Sequence, residues 1–311
     1  QWQTAAEHWP MAIAMAIGGY AAGSTPMGGG TVGFPVLVLL FELPASLGRD
    51  FSFAIQAIGM TSASIFILAR RQPIARAMLN GAILGSLVGT PLGIFFIAPF
   101  IAELWIKLIF AVIWASFGLL HLYRIDEIAG HTGMTEFNEK WDFKLGIWIG
   151  VIAGATITSA TGVGIDMVLY TALVLVCRAD LKIAIPTSVV IMALNSILGV
   201  AIKLLSGQGL QPGVYDNWLA AAPVVALGAP LGVFIVARLG RKPILRIVAA
   251  LCVGQFIWTL YSEQELLGLP GILISLVVVA VCLAGFEALR RWGATLVEGS
   301  PDATTSKDII H

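Results

Sequence analysis

Long apolar segments separated by short polar connections run along most of this chain, and two of the segments are interrupted by small residues. The apolar segments span about 11–41, 52–69, 77–98, 104–123, 143–177, 182–205, 217–237, 243–260 and 269–289. A run of about 20 apolar residues is long enough to cross the hydrocarbon core of a bilayer as a helix. The pattern therefore predicts an all-α polytopic membrane protein.

The chain also contains two near copies of one motif, which indicates a duplicated unit. Residues 87–97 read LVGTPLGIFFI, and residues 226–236 read ALGAPLGVFIV. Upstream of each copy lies one interrupted apolar segment, broken over 23–33 in the first half and over 154–164 in the second. Matching interrupted helices in the two halves of a membrane protein are typical of secondary transporters, whose binding site lies between them.

These boundaries predict how the chain is divided. We expect a first repeat over 1–125, a linker over 126–141, a second repeat over 142–262, an extra transmembrane helix over 263–291 and a polar tail over 292–311. The tail is expected to be mobile.

The basic residues predict the orientation of the segments, because Lys and Arg concentrate in cytoplasmic connections. If both interrupted segments enter and leave on one side as re-entrant hairpins, every basic cluster falls on the same side. The clusters are Arg70/Arg71/Arg76, Arg124/Lys140/Lys144, Arg178/Lys182, Arg238/Arg241/Lys242/Arg246 and Arg290/Arg291. This arrangement predicts seven crossings, two hairpins, two inverted repeats, an outer N-terminus and a cytoplasmic C-terminus and linker.

Composition narrows the function classes. The chain is 58% hydrophobic and 12% charged, and its 18 basic and 18 acidic residues give no net charge. We therefore expect a lipid bilayer as its surroundings and no nucleic-acid partner. The three cysteines lack CxxC spacing and are expected to be buried thiols. No HExxH, GxSxG or Walker motif is present, so no enzyme activity, metal or cofactor is expected.

The helix breaks are the expected binding site. Unpaired backbone groups inside a membrane survive only when they are buried in protein or line a wet cavity. Each break also creates a helix N-terminus, near Thr31 and near Ile165, and such ends attract anions. The sequence therefore predicts a small anionic substrate near the membrane midplane. The alternative is that the glycines only allow close helix packing.

Neutral donors lie on the same segments and suit an oxyanion, because they bind it without a permanent ion pair. The candidate substrate-binding residues are Gly28, Gly29, Gly30, Thr31, Gln56, Thr61, Ser62, Ser159, Thr161, Gly162, Gly164, Thr187, Ser188 and Asn195. The alternative for each hydroxyl is a hydrogen bond to its own helix backbone.

Asp166 follows the second break directly, and Pro35 stands at the corresponding position of the first half. A carboxylate inside a membrane is costly and is by default a functional hypothesis. It could carry a coupling proton, or it could cap the half-helix behind the break. An ionised Asp166 would repel an anion, so it would have to protonate, pair or point away.

Two charged pairs occupy corresponding places in the halves, namely Arg49/Asp50 and Arg178/Asp180. The predicted topology puts them on opposite faces of the membrane, where they could act as gates or simply lie at the interface. Lys107 and Lys203, near segment ends, are expected to extend toward the lipid headgroups.

Several of these residues resemble a known family. The run from Gly28 to Leu37 is similar to the GxGGGxxxxPxL signature that opens the sulfite exporter TauE/SafE family, also called the toluene sulfonate uptake permeases. Thr61-Ser62 and the run 184–188 resemble its AxxTS element, and the two GxPLG motifs resemble its GxxxG helices. The resemblance covers about residues 12–290. The chain departs from the pattern at Met27, which replaces the first Gly, and in the second copy, which reads Gly-Val-Gly-Ile-Asp over 162–166.

The resemblance implies an inner-membrane transporter that moves small sulfur-containing anions, typically sulfite or short organosulfonates such as sulfoacetate, commonly outward. The residues leave open a passive anion channel on the same scaffold, a transporter of other small organic anions, and whether protons are coupled. The oligomeric state is also open, with a homodimer as one option.

Overall fold

The computed structural model describes residues 7–135, 137–239 and 242–298, and this part of the chain is helical with no strand. The helices of the first half are α1 Trp9–Ser24, α2 Gly30–Pro35, α3 Ala45–Ala69, α4 Arg76–Phe96 and α5 Glu103–Ile128. Those of the second half are α6 Glu139–Ala153, α7 Ile165–Leu175, α8 Leu181–Leu205, α9 Val214–Leu239 and α10 Lys242–Ser262. The last helix is α11, Gln264–Glu298, which bends at Gly268.

Eight of the described helical segments are long and apolar enough to cross a membrane, one more than the seven crossings predicted. The additional one is the first arm of the second interrupted segment, Glu139–Thr161. Small residues were expected to break this arm from Gly154, but a π-helical turn over Gly154–Thr158 carries it on to Thr161. The corresponding arm of the first half, α1, has 16 residues and ends at Ser24.

Each interrupted segment has a short second arm. Gly30–Leu40 and Ile165–Leu175 are apolar helices below spanning length. At a rise of about 1.5 Å per residue, each covers only about half of a bilayer core. The two breaks are narrower than predicted, over 25–29 and 162–164. Both turns are therefore placed inside the helix bundle.

The helix contacts repeat when the two halves are exchanged. The most extensive packing joins α4 to α6 and α9 to α1, so the fourth helix of each half packs on the first arm of the other half's interrupted segment. The helices α3 and α8 pack on each other, as do α5 and α10. This exchange is the contact pattern of a duplicated unit. That the two halves are inverted in the membrane stays a prediction.

Glycines allow α4 to pack closely on α6 and α9 to pack closely on α1. A methyl group at Gly85 or Gly89 of α4 would overlap carbonyl oxygens of α6, and one at Gly232 of α9 would overlap the Tyr20 carbonyl of α1. Without a hydrophobic driving force between helices in lipid, such backbone contact supplies much of the packing energy. The duplicated Gly-x-Pro-Leu-Gly motif thus has a structural role in both halves.

The eleventh helix is joined to α5 by ion pairs at one end of the bundle. Arg124 lies 3.3 Å from Glu287, and Arg290 lies 2.9 Å from Glu127. The helix continues to Glu298, beyond the predicted boundary at 291, so 292–298 belong to it. The rest of the predicted polar tail, 299–311, lies outside the described residues.

The close contact of α4 with α6 gives a stability prediction. Gly89→Ala places a methyl against the Val151 backbone, which cannot move aside without displacing α6. We expect a loss of about 1–3 kcal/mol from overpacking, measured as a lower Tm in detergent. The control is Gly254→Ala in α10, where no atom lies within 4 Å of the added methyl. An equal Tm for both variants would contradict the prediction.

Candidate substrate site

The turn of the first interrupted segment is built by its own polar groups. Thr25 donates its hydroxyl to the Ala21 carbonyl at 2.8 Å and ends α1, and Thr31 donates to the Met27 carbonyl across the turn. Gly28 has a φ of +66°, which L side chains rarely adopt. In the part of the chain that the structure describes, the amides of Gly28, Gly29 and Gly30 have no acceptor. Three successive amides are therefore free at this turn.

The turn of the second interrupted segment is tighter. Gly162 donates its amide to the Thr158 carbonyl at 2.8 Å and turns the chain with a φ of +80°. Thr161 closes the turn through its hydroxyl, which lies 2.9 Å from the Val163 carbonyl. Gly164, with a φ of +121°, then starts α7.

The two turns meet against one face of α3. Residues 49, 52 and 56 share this face, since they are three and four positions apart. Gln56 donates its side-chain amide to the Gly162 carbonyl at 3.3 Å and to the Ser52 carbonyl at 3.2 Å. The Val163 side chain fills the space beside Gly30 of the other turn. Gln56, one of the predicted binding residues, therefore sits where both turns converge.

A tryptophan fixes the start of α2 from the other side. Trp114 of α5 is fully buried and donates its indole N–H to the Thr31 hydroxyl at 2.8 Å. Its ring stacks on Phe110, which stacks on Phe34 of α2, with 4.2 Å between centroids in each pair. Trp114 was not predicted, although its position in the middle of the apolar segment 104–123, away from the membrane interface, was a signal that could have found it.

Asp166 uses its two carboxylate oxygens differently. Oδ1 accepts the amides of Gly164 at 3.1 Å and of Met167 at 2.9 Å, which caps the start of α7. Oδ2 is buried and has no hydrogen-bond partner among the described residues, and the same holds for Oε1 of Gln56. A Cβ built at Gly28 would overlap Gln56 Oε1 and lie 3.2 Å from Asp166 Oδ2. Two unpaired acceptor oxygens therefore face the first turn.

The two turns differ in what they offer a ligand. The sequence predicted an anion held between two equivalent helix N-termini. At the second turn, the Asp166 carboxylate already binds the amides that start α7. At the first turn, the amides of Gly28–Gly30 stay free. The free amides and the free carboxylate oxygen thus come from different halves of the chain.

Other candidates bond away from the two turns. Thr187 accepts the Ala75 amide at 3.0 Å, and Asn195 accepts the Thr90 hydroxyl at 2.6 Å. The hydroxyls of Ser62 and Ser188 donate to the backbone of their own helices, which was the alternative stated for the hydroxyl candidates. Thr61 is a further residue of α3 whose buried hydroxyl has no partner within the described chain. Gly29 packs on Met15, and Ser159 bonds the Ala155 carbonyl at 2.7 Å.

The predicted gating residues lie at opposite ends of α8. Asp180 is its N-cap and accepts the Lys182 amide at 2.8 Å, with Arg178 in the preceding loop. At the other end, Lys203 lies 2.6 Å from Asp50, which also pairs with Arg49. The expectation that Lys203 extends to the headgroups is therefore wrong. Its partner is 153 residues away in sequence, and it is buried.

Lys107, the other lysine expected at the headgroups, forms an ion pair with Glu263 instead. No group of three or more His, Cys, Asp or Glu residues that could hold a metal ion occurs in the described ranges.

Two broken helices whose turns meet inside a duplicated helical membrane bundle are the architecture of secondary transporters. The comparison with protein families agrees with this class. The family model "Sulfite exporter TauE/SafE" matches residues 11–259, and the chain belongs to this family of membrane transporters. The comparisons with curated proteins and with solved structures gave no match. The match ends before α11.

The packing of the second turn gives a testable prediction. Gly162→Ala forces a left-handed residue and also drives a methyl into the Arg49 carbonyl, so we expect loss of both stability and transport. Gly207→Ala is the matched control, since Gly207 has a φ of +75° with nothing within 4 Å. The strain cost of about 1–2 kcal/mol is common to both. The Tm and transport of the two variants should differ; equal values would mean that contact between the turn and α3 is unimportant.

Proposed function

We propose that this protein is a secondary transporter of small sulfur-containing anions, such as sulfite or short organosulfonates like sulfoacetate. The observation that carries the proposal is the cluster of free amides at Gly28–Gly30 beside the unpaired Oδ2 of Asp166. Successive backbone amides in a turn form a concave anion site without a fixed positive charge. Family membership supports the class of substrate.

The same cluster supports proton coupling. Two unpaired acceptors, Asp166 Oδ2 and Gln56 Oε1, need a donor, and a proton on Asp166 supplies one. An anion at the first turn would also be repelled by an ionised Asp166. Two like charges about 6 Å apart repel by about 3 kcal/mol at an effective dielectric constant near 20, or about 100-fold in affinity. Anion and proton therefore favour each other's binding by the same factor.

Transport requires the two turns to separate. In this structure they are in contact, with Val163 against Gly30, so the site is closed. Each half holds the other's interrupted segment through the α4–α6 and α9–α1 contacts. Rocking of one half against the other would open the junction to either side. One proton moving with a monovalent anion such as hydrogen sulfite transfers no net charge, whereas one proton moving with a dianion such as sulfoacetate transfers one negative charge. The pH and anion gradients, and for a dianion also the membrane potential, therefore set the direction of flux, which in this family's pattern is outward.

The first experiment measures uptake into proteoliposomes of labelled sulfoacetate, whose charge is constant near neutral pH. We expect flux above that of empty vesicles and rising with an imposed pH gradient. Asp166→Asn keeps the site neutral, so binding should persist while flux loses its response to the gradient. Asp216→Asn, at the start of α9, is the control and should behave as the unchanged protein. A gradient-dependent Asp166→Asn variant would rule out this carboxyl as the proton carrier.

If flux through the unchanged protein does not depend on the pH gradient, the protein is instead an exchanger or a passive channel. If neither sulfoacetate nor sulfite is transported, small carboxylates become the substrates to test. Transport of a carboxylate would then support a small anion as the substrate and would rule out the sulfur-containing anions.

The proposed location is the inner (plasma) membrane, with the N-terminus outside and the C-terminus in the cytoplasm. Gln208 and Gly130 are exposed and lie in connections at opposite ends of the predicted topology. In intact cells, Gln208→Cys should react with a membrane-impermeant maleimide, and Gly130→Cys should react only after permeabilisation. The parent chain, whose Cys177 and Cys252 are buried, gives the background. The reverse labelling would invert the orientation.

A further inference from the structure

A buried charge cluster at the far end of α8 has more cations than acids. The Asp50 side chain is fully buried and accepts Arg49 Nε at 3.0 Å, Lys203 Nζ at 2.6 Å and the Gln211 amide at 3.1 Å. Both of its oxygens are used in these bonds. One carboxylate thus faces two cations, and the cluster carries an excess of one positive charge.

The excess charge has no counter-ion in the described chain. Arg49 is 8% exposed and Lys203 is 5% exposed. The two terminal nitrogens of the Arg49 guanidinium bond no described residue. A buried charge is costly unless it is paired and hydrogen-bonded. The terminal nitrogens of Arg49 are therefore available as donors to an anion.

A cavity of about 370 Å³ adjoins these cations and provides the space for an anion. Its mouth is formed by Pro99, Gln208 and Gln211, which are exposed. Its inner wall includes Arg49, Lys203 and the fully buried Ser159. Guanidinium and ammonium groups with nearby hydroxyl and amide donors are the usual ligands of oxyanions.

We propose that this cavity is a second binding site, for a small oxyanion such as sulfate or sulfite, held by Arg49 and Lys203. The site is separate from the turn junction but adjacent to it. Ser159 lies three residues before Gly162, and the Arg49 carbonyl packs on Gly162 itself. An anion bound in the cavity would therefore lie about one helical turn from the place where the two turns meet. The choice of sulfur anions rests on the proposed function, whereas the existence of the site does not.

The test measures binding of inorganic sulfate to the purified full chain in detergent, by calorimetry and by the shift in Tm, at constant ionic strength. Arg49→Gln removes the guanidinium whose terminal nitrogens are unpaired, and it leaves the Lys203–Asp50 pair in place. Since a hydrogen bond to a charged group contributes about 1.5–3 kcal/mol, we expect sulfate affinity to fall by about 10-fold or more. Lys107→Gln is the control, because it removes a cation paired with Glu263, away from the cavity. Its sulfate affinity should be unchanged.

A second pair of variants avoids the buried cluster altogether. Gln208 is exposed at the mouth, so Gln208→Lys and Gln208→Glu should both fold. The lysine should tighten sulfate binding and the glutamate should weaken it, each by about two- to fivefold, as expected for exposed charges. Sulfate binding that Arg49→Gln leaves intact, or that responds equally to both Gln208 variants, would overturn the proposal.

The result is separate from that of the transport assay. Arg49-dependent sulfate binding without any sulfoacetate or sulfite flux would uphold the cavity site and refute the proposed transport. Proton-dependent flux, together with a sulfate affinity that Arg49→Gln does not change, would support the proposed transport and refute the cavity site.

Discussion

The structure depends on satisfying backbone polar groups where two helices are broken inside an apolar bundle. Lipid offers no hydrogen bonds, so broken backbone persists only when protein encloses it. Here Thr25, Thr31 and Thr161 bond the carbonyls of the turns, and Asp166 caps the start of α7. The polar groups that these bonds leave unpaired are the ones that can bind a substrate. The free amides of Gly28–Gly30 therefore follow from the same constraint that shapes the fold.

Enclosing the turns requires helices that approach very closely. The grips of α4 on α6 and of α9 on α1 bring backbone against backbone, which glycine alone permits at Gly89 and Gly232. Each grip holds the interrupted segment of one half with a helix of the other. In the proposed rocking motion, movement of one half would therefore carry the other half's turn with it. This linkage joins the packing of the bundle to the opening of the site.

The sequence predicted the helical membrane fold and the positions of both breaks, because these depend on local runs of apolar and small residues. It predicted that the two breaks meet, but not which side chains bond across distant parts of the chain. Lys203 was assigned to the headgroups, since its partner Asp50 lies on another helix. Trp114 carries no local signal of its bond to Thr31. The length of the first arm of the second segment was missed because Gly154–Thr158 continues it as a π-helical turn.

The two turns differ although both halves carry the same packing motif. Both halves keep the packing motif, but Pro35 in one half corresponds to Asp166 in the other. The Asp166 carboxylate caps the start of its own helix through Oδ1, and its unpaired Oδ2 faces the turn of the other half. In the proposed mechanism, one amide site beside one carboxyl would couple the charge of a bound anion to a proton. Under that proposal, the difference between the two turns is what links the anion gradient to the proton gradient.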